Sequence, residues 1–108
     1  MSKIHVIRTN GDEEHHEVPR SNLVEAVFGL IGATLTDQVN LRDGRVMIVD
    51  DDGWNTTIVH HDNGVEAIPT TPKKPLNAKA TALYRTVTRP NDHQIAGDVA
   101  IVIDEDFR

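Results

Sequence analysis

Four turn dipeptides, Asn10-Gly11, Asp43-Gly44, Asp52-Gly53 and Asn63-Gly64, punctuate the chain, and β-forming residues flank them. Such pairs tolerate the positive φ of tight turns, so the spacing predicts short strands joined as hairpins. The opening run, Ile4 to Arg8, is β-branched and leads into Asn10-Gly11; Glu14 to Val18 returns as an edge strand that Pro19 stops. Further along, Leu35 to Leu41, Arg45 to Asp50, Thr56 to His60 and Val65 to Ile68 read together as an antiparallel meander.

Two segments carry helical patterns instead. Ser21 is placed to cap a helix from Asn22 to about Ile31, where Leu23, Val24, Val27, Phe28, Leu30 and Ile31 make a wide apolar face that Gly29 and Gly32 weaken and end. That face is wider than packing on one side requires, which allows a homodimer contact besides burial on a sheet. Asn77 is placed to cap a second helix over Ala78 to about Val87, with Arg89-Pro90 as its stop and Pro90-Asn91-Asp92 as a turn.

Between them, Pro69, Pro72 and Pro75 predict a mobile loop at about 69–76, since proline donates to no ladder. Ile95 to Ile103 holds the unbroken run Val99 to Ile103, the pattern of a central strand covered on both faces. The fold expected is a single α+β domain over residues 1–108: a mostly antiparallel sheet of about five to six strands with two helices packed on it.

Composition narrows the function classes. The chain has no cysteine, which removes disulfides, thiolate metal sites and cysteine nucleophiles, and its aromatic content of 4% leaves an aliphatic core. No apolar run nears the roughly 20 residues of a membrane span, and Met1 to His5 lacks a signal-peptide layout, so the expected location is the cytoplasm of the host cell. A net charge of −6 argues against nucleic acid as a partner. The acidic clusters at Asp12 to Glu14, Asp50 to Asp52 and Asp104 to Asp106 are interleaved with cations, so they read as solvated turns and a tail rather than a DNA mimic.

Motifs for chemistry are sparse. The pairs His15-His16 and His60-His61 put neighbouring imidazoles on opposite faces of a strand, which gives one ligand per face and no metal site. Asp50-Asp51-Asp52-Gly53 lacks the alternating spacing of a calcium loop and reads as a turn. Asp98 is expected to accept backbone amides rather than to catalyse. No phosphate loop, nucleophile elbow or zinc-hydrolase helix occurs, and no cofactor is implied. Lys73, Lys74, Lys79, Arg85 and Arg89 beside the helix N-terminus at Asn77 read, as an alternative to a solvated helix face, as a cationic concavity suited to a nucleotide-like anion.

Leu76 to Tyr84 followed by Ile95-Ala96-Gly97-Asp98-Val99-Ala100-Ile101 resembles the C-terminal half of a small domain family of unknown function encoded by phages and conjugative plasmids. The match lies mainly in Asn77 to Tyr84 and Ile95 to Ile101; Val46 to Gly53 is similar to that family's strand and acidic turn, and Trp54 to Lys74 is a longer insert. The resemblance implies an accessory protein of a mobile element and brings no catalytic residue. The function expected is a non-enzymatic protein that binds a host protein through exposed turns and the proline-rich loop. The alternative is a sponge that sequesters a nucleotide signal or another small anion through Lys73, Lys74, Asn77, Lys79, Arg85 and Arg89, and a small enzyme comes third. Trp54 fits either a core position or an exposed contact.

Overall fold

In the computed structural model, which describes residues 1–88 and 93–107, β1 (Ser2–Ile7) and β2 (Glu13–Val18) form the first antiparallel hairpin. Gly11 takes φ 92° in their turn. After Pro19, a 3-10 turn over Arg20–Asn22 leads into α1 (Leu23–Ile31). Ser21 therefore does not cap α1: Asn22 donates its amide to Pro19 O at 2.9 Å, and the 3-10 turn occupies the capping position. Gly32 ends α1 in the left-handed conformation at φ 65°.

β3 (Thr36–Asn40) and β4 (Arg45–Asp50) pair around Asp43-Gly44, as their spacing predicts. β5 (Trp54–His61) and β6 (Gly64–Pro72) then pair around the Asn63-Gly64 turn. α2 (Ala78–Val87), β7 (Val99–Ile103) and a short α3 (Asp104–Phe107), a third helix beyond the two expected, complete the described chain. The expected Arg89-Pro90 stop and Pro90-Asn91-Asp92 turn lie outside the described residues.

The fold is α+β, with a five-stranded antiparallel sheet in the order β2-β1-β7-β4-β3 and a separate two-stranded sheet, β5-β6. The expected four-strand meander is thus split. β7 takes the side of β4 where β5 was expected, because its run Val99 to Val102 needs cover on both faces and both edges. β5, with Asn55, Thr56, Thr57, His60 and His61, is polar enough to remain in water.

Alternation along the central strands sends side chains to two cores. Ile4, Val6, Val46, Ile48, Ala100 and Val102 meet Leu23, Val27 and Ile31 of α1. On the opposite face, Ile7, Met47, Val99 and Ile101 meet Ala80 of α2, with Leu83, Tyr84 and Val87 packed beside them.

β7 starts at Val99 rather than Ile95 because residues 95–97 bond elsewhere. Ile95 O accepts from Asn77 N at 2.8 Å, and Gly97 N donates to Pro75 O at 2.8 Å. No helix among the described residues is long and apolar enough to cross a membrane.

Candidate functional site

The loop expected at about 69–76 begins later than predicted, since Pro69, Thr70, Thr71 and Pro72 belong to β6. A two-stranded sheet leaves each strand with one open edge, so a proline can sit where no ladder donor is needed. The register also slips between Asn55 and Thr56: Asn55 faces Thr71 and Thr56 faces Pro69, leaving Thr70 as a bulge.

The hairpin stands clear of the body. Every residue of β6 is exposed, and on β5 only Trp54 and Val59 are half-buried. The two strands pack chiefly on each other, and the molecule measures 50 × 26 × 25 Å. Isolated two-stranded ribbons are marginal in water, so such an arm gains little from its own chain.

Its two faces differ in chemistry. Cross-strand partners Thr56 and Pro69, Ile58 and Ala67, and His60 and Val65 share one face, which carries no Asp, Glu, Lys or Arg. Ile58 is 56% exposed there and Val65 67%. The other face holds Thr57, Val59 and Ile68 together with a 3.0 Å contact between His61 and Glu66.

At the hairpin's foot, Gly53 O accepts from Lys73 N at 2.9 Å, and Trp54 Nε1 donates to Gln94 O at 3.1 Å. Trp54, Thr56 and Pro69 line a hollow of about 270 Å³ there with His93, Asp37 and Asp51. The Trp54 and His93 ring centroids are 6.0 Å apart. Trp54, open between core and contact roles by sequence, is therefore a half-buried wall where hairpin and body meet.

The residues expected to form a cationic concavity are individually engaged. Lys73 donates to Asp52 at 2.8 Å, a bond that holds the Asp52 carboxyl below its usual range. Lys74 pairs with Asp50 and donates to Gly32 O at 3.1 Å. Lys79 reaches the other hairpin turn, donating to Gly11 O at 2.7 Å and to Glu13 at 2.9 Å. Arg85 donates to His93 O at 3.3 Å and borders a hollow of about 330 Å³ with Leu76, Thr81 and Gln94. Arg89 lies outside the described residues.

Asn77 is 0% exposed, and its side chain is fully used. Its Oδ1 accepts from Ala80 N at 3.1 Å, capping α2 as the sequence predicts, while Nδ2 donates to Ile7 O at 2.9 Å and Gly97 O at 3.1 Å. Asp98 accepts an amide, that of Thr9 at 2.9 Å, and also pairs with Arg8. The histidine pairs separate as strand geometry requires. His15 stacks on His5 with centroids 4.6 Å apart, while His16 lies 2.9 Å from Glu14. Among the described residues no group of three His, Asp or Glu side chains is placed to hold a metal ion.

No family model, curated protein or solved structure matches the chain. The surface that stands out is one the sequence signalled only in part: Asn63-Gly64 marks the hairpin turn, but Pro69 and Pro72 hide the length of its second strand.

Proposed function

We propose that the chain is a non-enzymatic binding protein that engages a host protein through the uncharged face of the β5–β6 hairpin. The observation that supports this is the arm itself, two strands of eight and nine residues exposed almost throughout, with Ile58 and Val65 on one charge-free face. Apolar side chains held in water on a projecting ribbon contribute little to the fold and become favourable once a partner covers them.

Area selects the kind of partner. One face of such a hairpin spans on the order of 300 Å², well short of the roughly 800 Å² per side of a stable interface. The fit is therefore to a groove that also takes the hairpin's edges. Pro69 and Pro72 blunt the edge of β6, whereas β5 carries no proline and leaves its outer edge available for strand addition. The setting in a phage or conjugative plasmid rests on the resemblance of Asn77 to Tyr84 and Ile95 to Ile101.

Among the described residues, sequestration of a nucleotide-like anion finds its foothold in the hollow at Arg85. Lys73, Lys74 and Lys79 are bonded to other parts of the chain. Capture from a bacterial lysate by the intact protein and by an Ile58→Asp, Val65→Asp variant separates the readings. A protein retained by the first and lost from the second supports the hairpin, and equal retention by both contradicts it.

A further inference from the structure

We infer that the hollow at the foot of the hairpin receives a cationic side chain, arginine or lysine, from the protein that lies along the hairpin face. The inference rests on the binding role proposed above. Among the described residues, the hollow's lining contains Asp37, Asp50 and Asp51 and no lysine or arginine. Lys74 pairs with Asp50, and the other carboxylates of the described lining are those of Asp37 and Asp51, both on exposed residues. Among the described residues, the Asp37 carboxylate accepts the neighbouring amide of Gln38, at 2.8 Å.

An aromatic wall adds a second preference. The Trp54 indole is anchored by its N–H bond to Gln94 O, with the His93 ring 6.0 Å away, and tryptophan is the strongest aromatic partner for a cation. A planar guanidinium suits this combination best, since it can stack on an indole while donating to a carboxylate. Among the described residues no three such side chains are grouped to hold a metal ion, and an indole beside carboxylates suits an organic cation.

Position supplies the link to the partner. Thr56 and Pro69 belong both to the hollow and to the uncharged hairpin face, so a chain lying along Ile58 and Val65 passes directly over the hollow. The net charge of −6 gives the encounter the same sign preference, for a basic partner.

Trp54 is the sole tryptophan, so its fluorescence reports the hollow without a label. Titration with acetyl-arginine amide is expected to give a saturable change, with a dissociation constant of the order of millimolar for so small a probe. The uncharged isostere acetyl-citrulline amide should give none. Asp37→Asn and Asp51→Asn, exposed and nearly isosteric, should each weaken the response about five-fold without moving the urea midpoint. No saturable response, an equal response to acetyl-citrulline amide, or a response to adenosine monophosphate instead overturns the inference. Because this assay needs no partner, its failure removes the cation site alone, whereas failure of the capture comparison removes the hairpin reading.

Discussion

Arg8 and Asp98, 90 residues apart in the chain, meet in a 2.9 Å ion pair that ties the β1–β2 turn to the entry of β7. The same guanidinium donates to Glu14 at 2.7 and 2.9 Å and to Leu30 O at 2.6 Å, so one side chain joins two hairpin strands, the C-terminus of α1 and the central strand. Only a planar fork of donors reaches these partners together.

Replacing Arg8 by lysine keeps the charge and loses the fork. Arg8→Lys is expected to cost about 1–2 kcal/mol, and Asp98→Ala, which also strands the Thr9 amide, about 1–3 kcal/mol. Urea denaturation of each variant checks both.

Acid should erode this corner of the fold. The hydrogen bonds from Arg8, with His16 second, lower the Glu14 carboxyl from 4.5 to about 2. Glu13, held chiefly by Lys79, is lowered too, as is Asp43 away from this corner at the β3–β4 turn, held chiefly by Arg45. A depressed carboxylate stabilises the fold in full above its unfolded value and loses that contribution as pH falls through its folded value. The urea midpoint should therefore drop between pH 4.5 and about 2. Glu14→Gln should be less stable at neutral pH and show a shallower acid slope.

Asn77 distinguishes a buried cap from an exposed one. At a solvent-facing helix start aspartate caps as well as asparagine, but here Nδ2 donates to the carbonyls of Ile7 and Gly97 inside the protein. Asn77→Asp points a carboxylate at two carbonyl oxygens, and Asn77→Ala removes both donations and the cap. Each should cost about 2–4 kcal/mol, with aspartate no better than alanine in urea melts.

These cases show what was legible beforehand. The cap at Asn77, the span Ala78 to Val87 and the central position of β7 followed from local rules, because a capping side chain and an unbroken apolar run carry their meaning within a few residues. The two bonds that bury Asn77 were not legible, since Ile7 lies 70 residues away. Lys79 reads as part of a cationic concavity from its place on α2; that the first hairpin brings Gly11 and Glu13 beside its ammonium is not legible there. The split of the meander depended on which strand won the side of β4, a competition between segments that no single segment records. Pro69 and Pro72 concealed β6 because their cost vanishes only on a strand with an open edge.

The hairpin should behave as the least protected stretch among the described strands. Amides of residues 54–72 are expected to exchange with deuterium well before those of β1, β4 and β7, because both hairpin faces meet water. Ile58→Asp and Val65→Asp, at exposed positions, should each change stability by no more than about 0.5 kcal/mol. A larger loss would mean that the arm packs on the body.

The most direct test of the binding face places a photo-crosslinking amino acid at position 58 in one preparation and at position 59 in another, each irradiated in a bacterial lysate. Ile58 lies on the uncharged face and Val59 on the face that carries the His61–Glu66 contact, so strand alternation makes the two positions internal controls. The account predicts a covalent adduct to a partner protein from position 58 and little or none from position 59. Equal adducts from both positions, or none from either, would contradict it.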